Sequence, residues 1–229
     1  TQRAETLAAL GTLAAGLAHE IRNPLNAAQL QLMLVDRGLS KVAPDIGAKS
    51  LKASQLVRSE LKRLAGLVED FLSFARPSNL RVQNVDVSNL CRGIAGLLEG
   101  DARSNEVIFS VDIEDNIVAR LDDKRMTQVL INLIRNAMEA AAKGGKVELR
   151  CSRIAQSVML EVFDTGPGLP TEIDIFEPFA TSKEGGTGLG LPIVHRIVSD
   201  HGGSIEALRE NGRTVFRVEV PIDGPDLRY

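Results

Sequence analysis

Aromatic residues are scarce in this chain of 229 residues, which has no tryptophan, one tyrosine and seven phenylalanines. A binding platform for single-stranded nucleic acid stacks bases on aromatic side chains, so this composition argues against one. The net charge of −3 gives no general attraction to nucleic acid or to an anionic membrane. We therefore expect an aliphatic core and contact with neither nucleic acid nor a membrane.

The chain also lacks long apolar runs and has only two cysteines. Cys91 and Cys151 each lie among apolar residues in predicted regular structure, which is typical of small buried thiols in a reducing compartment. No run of 18 apolar residues and no signal peptide is present, so we expect a cytoplasmic fragment. Because the chain begins at Thr1, an upstream part is expected to be missing, and whether the full-length protein is membrane-anchored stays open.

Helical periodicity dominates the first third of the chain. Apolar residues recur at steps of three and four over residues 2–37 and again to about Ala75, which predicts two amphipathic helices. A short loop between them predicts an antiparallel hairpin. One hairpin has only a narrow core, so two copies should pair as a four-helix bundle, making the protein a homodimer. The predicted domains are the helical hairpin at 1–76, a linker at 77–79 and a second domain at 80–229.

The second domain alternates strands with helices, which predicts an α+β layer sandwich. Helices are expected to about Arg103, from Asp122 to Ala142 and from about Gly188 to Asp200. Two hairpins are expected in the middle of the domain. Their predicted strands are Glu106–Ile113 with Ile117–Leu121, and Lys146–Arg153 with Ser157–Asp164. Asn84–Val87, Ser204–Leu208 and Thr214–Val220 are the other predicted strands.

A histidine lies on the outward face of the first predicted helix. With Leu7 and Ala14 at the first core position of a heptad, His19 falls at the most exposed position. Glu20 can accept its ring proton, and Asn23 follows one turn later on nearly the same side. Pro24 removes a helix hydrogen bond, so the helix should bend just past the histidine.

Three neutral amides lie four residues apart on the predicted helix at 122–142, namely Gln128, Asn132 and Asn136. They share one face, opposite to the apolar residues, which indicates a polar cleft. An amide oxygen is a hard, uncharged ligand that suits Mg²⁺ already crowded by phosphates.

Two glycine-rich segments follow. Asp164 ends a predicted strand and can accept a hydrogen bond from the adenine amine, while Gly166 and Gly168 let the backbone approach the base. The segment Gly185–Gly190 opens a helix, where backbone N–H groups can hold phosphate. Either segment alone would be a weak signal.

In their order along the chain, these segments resemble the five motifs of sensor histidine kinases, and residues 10–25 resemble the nitrogen-regulation subgroup most. The resemblance implies a dimerisation and histidine-phosphotransfer hairpin followed by a GHKL-type ATP-binding domain, an α/β sandwich of the Bergerat type. The matching segments are His19–Leu25 (H-box), Gln128–Ala140 (N-box), Asp164–Gly168 (first glycine box), Ile175–Phe179 (F-box) and Gly186–Leu191 (second glycine box).

The resemblance also implies a mechanism with ATP and Mg²⁺ as cofactors. His19 would be phosphorylated with Glu20 as base, and the phosphoryl group would pass to an aspartate in the receiver domain of a response regulator. Asn23 matches the position that orients water for the reverse dephosphorylation, and Asn136 the position that holds the metal. The nucleotide would contact Asn132, Asn136, Asp164, Gly166, Gly168, Lys183, Gly186, Thr187, Gly188, Leu189 and Gly190.

Three departures from the family pattern accompany the resemblance. Glu139 stands where many members carry a basic residue, so Lys183 in the lid would have to neutralise phosphate. The lid, residues 165–187, is about two residues shorter than usual between Pro170 and Phe176, and Gly212-Arg213-Thr214 replaces Gly-Gly-Thr. Two alternatives stay open: a GHKL-type ATPase, and a dimeric ATP-sensing scaffold that is not phosphorylated. The signal, the regulator and the choice between cis and trans phosphorylation are also open.

Overall fold

The computed structural model describes residues 25–33, 35–37, 44–75, 80–169, 173–180 and 188–225. The chain divides into two compact units, Thr1–Pro77 and Ser78–Tyr229. Within these described ranges, no helix is both long and apolar enough to cross a membrane.

The described part of the first unit is helical, as predicted. Residues 25–33 and 35–37 are helical and are labelled α1 here, and α2 spans Pro44–Ala75. The Arg58 guanidinium of α2 contacts the Asp36 carboxylate of α1, and Ser54 is buried one turn before Arg58. His19, Glu20, Asn23 and the predicted bend at Pro24 lie outside the described residues, and the pairing of two hairpins stays a prediction.

The second unit is an α+β sandwich with a mixed sheet, which confirms the predicted fold class. Its main sheet has the order β2-β4-β5-β7-β6, with β2 parallel to β4 and the other neighbours antiparallel, while β1 and β3 form a separate antiparallel pair. The helices are α3 (Val87–Ser104), α4 (Asp123–Ala141) and α5 (Gly190–Asp200). The strands are β1 (Gln83–Asp86), β2 (Ile108–Ile113), β3 (Val118–Leu121), β4 (Lys146–Ile154), β5 (Ser157–Asp164), β6 (Ser204–Glu210) and β7 (Arg213–Pro221).

The predicted hairpin between Glu106–Ile113 and Ile117–Leu121 is wrong. Both segments are strands, but β2 pairs with β4 and β3 pairs with β1. The connecting residues are held by α3 and β4 instead of folding back: Ile117 N–H donates to Ser88 Oγ at 3.0 Å, and Glu114 N–H donates to Cys151 O at 2.9 Å. The alternation of apolar residues therefore identified the strands but not their partners.

The core lies between the helices and one face of the main sheet. Alternate residues of β4 and β5 are buried on that face, including Val147, Leu149 and Val162. The predicted burial of both cysteines is confirmed, and both thiols are free. Cys91 and Cys151 share a hydrogen bond, which together with burial raises the pKa of the Cys91 thiol and keeps it protonated.

Side-chain hydrogen bonds fix the start of α4. The Asp122 carboxylate caps the helix, accepting from Arg125 N–H at 3.0 Å and from Arg81 N–H at 2.8 Å. The Asp122 N–H donates to Nε2 of the buried His201 at 3.0 Å. The other ring nitrogen, Nδ1, lies 2.7 Å from Ile197 O in the last turn of α5. His201 is thus a structural residue that joins the end of α5 to the start of α4.

Candidate functional site

The row of amides on α4 faces away from the core. Gln128, Asn132 and Asn136 are partly exposed. The opposite side of the helix is fully buried, with Val129, Leu130, Leu133, Ile134 and Ala137 at no more than 1% exposure. The helical repeat places the apolar residues on one side of α4 and the amides on the other. The amides therefore lie at the rim of the core.

Asn132 provides an unused hydrogen-bond donor. Its Nδ2 atom is buried and has no hydrogen-bond partner in the part of the chain that the structure describes. Leaving a buried donor unsatisfied costs roughly 1–3 kcal/mol. A phosphate oxygen is an acceptor that would remove this cost, so the residue fits a polyanionic ligand.

Asp164 shapes the first glycine box. It is 1% exposed at the end of β5, and its Oδ1 accepts from Gly166 N–H at 2.7 Å. Thr165 binds the start of β4 through two hydrogen bonds: its N–H donates to Lys146 O at 3.1 Å, and its hydroxyl accepts from Lys146 N–H at 2.9 Å. The loop after β5 is therefore anchored both to the Asp164 carboxylate and to the start of β4.

Gly166 brings this loop against the end of α4. A Cβ atom on Gly166 would lie 2.6 Å from the carbonyl oxygen of Ala140, closer than side chains approach backbone. The absence of a side chain therefore allows the loop and the N-box helix to touch. The contact places Asp164 beside the same half of α4 that carries Asn136.

The second glycine box meets the N-box at the start of α5. The helix begins at Gly190, and its N-cap, Leu189, makes no side-chain capping hydrogen bond. A Cβ atom on Gly190 would lie 3.9 Å from Nδ2 of Asn136. A helix N-terminus without a side-chain cap favours an anion through its N–H groups and the helix dipole.

The F-box contacts Gly188, just before α5, and His195, in the middle of α5. Phe179 N–H donates to Gly188 O at 3.0 Å, and a Cβ atom on Gly188 would lie 2.5 Å from the carbonyl carbon of Phe179. The Phe176 ring lies 5.5 Å from the His195 ring, centroid to centroid, at an angle of 44°. The described part of the lid is thus held on α5 by backbone and ring contacts.

The structure therefore brings the first glycine box and the described end of the second, residues 188–191, to the C-terminal half of the N-box helix α4. Lys183, Gly186 and Thr187 lie outside the described residues. The residues that the structure does describe contain no group of three or more His, Cys, Asp or Glu side chains that could hold a metal ion. A cation here would depend on amide oxygens such as that of Asn136 and on oxygens of its ligand.

One residue that contacts the candidate site, Arg209, could not be identified from the sequence. The Arg209 guanidinium donates from Nη1 to the carbonyl oxygen of Gly166 at 2.9 Å. The two residues are 43 positions apart, and Arg209 belongs to none of the motifs. No local pattern could have identified this contact.

Substituting Gly166→Ala should destabilise the second unit by about 1–3 kcal/mol, because the new methyl group meets backbone that cannot rotate away. Nucleotide affinity should fall with it. Gly96→Ala in α3 is the matched control, since a Cβ atom there meets nothing within 4 Å, and it should stabilise by about 0.5–1 kcal/mol. Thermal unfolding of both variants measures the difference, and equal stabilities would contradict the contact with Ala140.

Two family models match the chain. Residues 9–80 match the "His Kinase A (phospho-acceptor) domain", and residues 121–224 match the "Histidine kinase-, DNA gyrase B-, and HSP90-like ATPase". Together they cover the segment with His19, the N-box helix α4 and both glycine boxes.

Similar proteins agree with both models. The chain is 35% identical to the sensor histidine kinase ZraS of Escherichia coli strain K12, over 97% of this chain and 48% of ZraS. It is 34% identical to the sensory histidine kinase/phosphatase NtrB of Rhodobacter capsulatus, over 92% of this chain and 62% of NtrB. It is 30% identical, with a TM-score of 0.67, to the histidine kinase ThkA in its complex with the response regulator protein TrrA, over 96% of this chain and 64% of that chain.

The chain thus spans about half the length of ZraS. The architecture, the gathered motifs and these similarities lead to one conclusion. This chain belongs to the sensor histidine kinases and carries the catalytic core of the two-component type.

Proposed function

We propose that this protein is an ATP-dependent protein-histidine kinase that phosphorylates His19 and then transfers the phosphoryl group to an aspartate of a response regulator. The observation that carries the proposal is the meeting of Asn136, Gly190 and the Asp164–Gly168 loop around one half of α4, in a chain that also contains His19–Leu25. A polyphosphate fits the uncapped helix start and the unsatisfied Asn132 donor. A base fits beside the buried Asp164.

Each candidate residue has a proposed role at the nucleotide. Asp164 accepts from the adenine amine, with Gly166 and Gly168 beside the ring. Gly186, Thr187, Gly188, Leu189 and Gly190 contact phosphate through their backbone, and Asn132 donates to it. The Asn136 amide oxygen would hold Mg²⁺, which when bound supplies neutralisation of phosphate charge.

The chemical step requires a neutral histidine and a base. A ring nitrogen of His19 attacks the γ-phosphorus, a P–N bond forms, and the P–O bond to the leaving ADP breaks. Glu20 accepts the proton from the other ring nitrogen, which lets the imidazole stay neutral after bond formation. Lys183 is proposed to offset negative charge, because Glu139 occupies the usual position of a basic residue and is exposed.

Two macromolecular partners follow from this proposal. The hairpin of residues 1–76 would pair with a second copy as a four-helix bundle, with 77–79 as linker and 80–229 as catalytic domain. The second partner is the receiver domain of a response regulator. The complex of the similar kinase ThkA with TrrA supports this choice.

Transfer of label from ATP carrying ³²P at the γ position tests the proposed function against its alternatives. Protein-bound label that is stable to base and labile to acid indicates phosphohistidine. Released inorganic phosphate without protein label would identify a GHKL-type ATPase. ATP binding with neither product would identify a sensing scaffold.

Asn23→Ala should preserve autophosphorylation and transfer but slow the loss of phosphate from the regulator by about a hundredfold. We propose that its amide positions the attacking water, so its removal misplaces the nucleophile without touching the kinase step. The similar NtrB is named a kinase/phosphatase. Decay of the phosphorylated regulator with ADP present measures the effect. If Asn23 serves only the bend before Pro24, all three steps should fall together.

A further inference from the structure

Arg209 lies where the main sheet meets the first glycine box. It belongs to the edge strand β6, and its partner across β7 is Thr214, whose own partner on β5 is Asp164. Directly paired residues point to the same face, so Arg209, Thr214 and Asp164 form a row on the face that the helices cover. This row places a cation directly under the loop that follows Asp164.

The guanidinium is bound to one residue of the loop and to one residue of β7. Its Nη1 donates to Gly166 O at 2.9 Å and to the buried Thr214 Oγ1 at 3.2 Å. A Cβ atom on Gly168 would lie 3.2 Å from the same Nη1 and 3.8 Å from Cδ, so the arginine side chain runs along the bare backbone of Gly168. The positive φ of Gly168, 106°, is a conformation in which glycine is favoured and which opens this path.

The chemistry of the loop makes this hydrogen bond hard to replace. The peptide between Gly166 and Pro167 has no N–H, because proline lacks one, so only its carbonyl oxygen can be held. The N–H of Gly166 is already bound by Asp164 Oδ1. Asp164 and Arg209 therefore hold Gly166 from both sides.

Arg209 differs in this respect from other arginines of the sheet. Arg217 on β7 binds Glu161, Glu206 and Glu210 on the opposite face. Within the ranges that the structure describes, Arg209 makes no ion pair, and its charge is directed at a loop carbonyl. A charge-assisted hydrogen bond is stronger than a neutral one, which suits a contact that must hold a loop in place.

We propose that Arg209 is a positioning residue for base recognition: it fixes the Gly166 carbonyl, and through it the orientation of the Asp164 carboxylate toward the nucleotide base. The inference rests on the proposed function, since it takes Asp164 to read the adenine amine. Guanine presents a carbonyl at that position, which cannot donate to a carboxylate. A loop that can shift loses this discrimination before it loses phosphate contacts on α5.

Arg209→Gln tests the inference, with Arg217→Gln as the matched control. Arg209→Gln should weaken the binding of ATP and of ADP by about tenfold, the loss expected for one charge-assisted hydrogen bond. The binding of GTP should weaken much less, so the ATP-to-GTP selectivity should fall by nearly the same factor of about ten. The KM for ATP should rise while kcat at saturating ATP stays unchanged, because Arg209 does not touch the phosphates.

Arg217→Gln should lower the melting temperature and leave affinity and selectivity unchanged, because its ion pairs lie on the other face of the sheet. Arg209→Lys keeps a positive charge and a hydrogen-bond donor at this position, so it should recover part of the ATP-to-GTP selectivity. This second variant also decides the question if Arg209→Gln does not fold.

The outcomes separate the inference from the function on which it rests. A wild-type protein that does not bind ATP would overturn the proposed function and the inference together. A wild-type protein that prefers ATP to GTP, with Arg209→Gln equal to it in affinity and selectivity, would overturn the inference alone. If Arg209→Gln does not fold, an Arg209→Lys protein with no loss of affinity or selectivity would do the same. Equal losses for ATP and GTP would also overturn it, since they would indicate a role in folding only.

Discussion

Replacing His19 by glutamine should reduce incorporation of phosphate from γ-labelled ATP to background while ATP binds with unchanged affinity. Glutamine has no ring nitrogen that can attack phosphorus, so the covalent step cannot occur. The residues proposed to bind the nucleotide all lie in the unit Ser78–Tyr229, whereas His19 lies in Thr1–Pro77. The acceptor can therefore be removed without altering the pocket.

The experiment requires parallel measurements of bound label and of the equilibrium Kd for ATP. His195→Gln is the matched control, because His195 is an exposed histidine of the unit Ser78–Tyr229 that packs on Phe176. This control should retain labelling. Label on the His19→Gln protein would mean that another residue is the acceptor and would contradict the assignment.

The second large effect is expected for Asn136→Ala, which should remove the Mg²⁺-dependent part of ATP binding. The amide oxygen is the proposed metal ligand, and its neighbour Gly190 opens the helix proposed to hold phosphate. Losing one interaction with a charged group costs about 2 kcal/mol, or about 30-fold in Kd. ATP titrations with Mg²⁺ and with EDTA should differ for the wild type and coincide for the variant.

Gln128→Ala controls for the loss of an amide from the same face of α4. Gln128 lies two turns nearer than Asn136 to the start of α4, so it is two turns away from the contact with Gly190. Its Oε1 lies 3.4 Å from Nη1 of Arg125. Its replacement should leave the difference between Mg²⁺ and EDTA intact. If both variants respond alike, the metal site does not depend on Asn136.

Features set by local spacing could be predicted. The amides of α4 recur every four residues, and the helical repeat alone places them opposite Leu130 and Leu133. The N-cap of α3 is an equally local interaction, because the Asp86 carboxylate accepts from Asn89 N–H, only three residues ahead, at 2.9 Å. These interactions are contained in short segments, so a short segment is enough to reveal them.

Contacts between distant segments could not be predicted. Ile108–Ile113 alternates as a strand should, yet its partner is β4, which follows only after β3 and α4. The bond from Arg209 to Gly166 likewise depends on how β6, β7 and β5 align. Periodicity reports which face of an element is buried, whereas pairing depends on the packing of the whole sheet.

The hydrogen bonds of His201 pre-organise the proposed nucleotide site. His201 connects α5 to α4 at the ends opposite Gly190 and Asn136, and both of its ring nitrogens are engaged. Sliding α5 along α4 would leave a buried polar group without a partner, at roughly 1–3 kcal/mol. The helix start at Gly190 and the asparagine row therefore keep a fixed register that the protein's own contacts set. Ligand contacts then translate into affinity without first having to bring these two helices together.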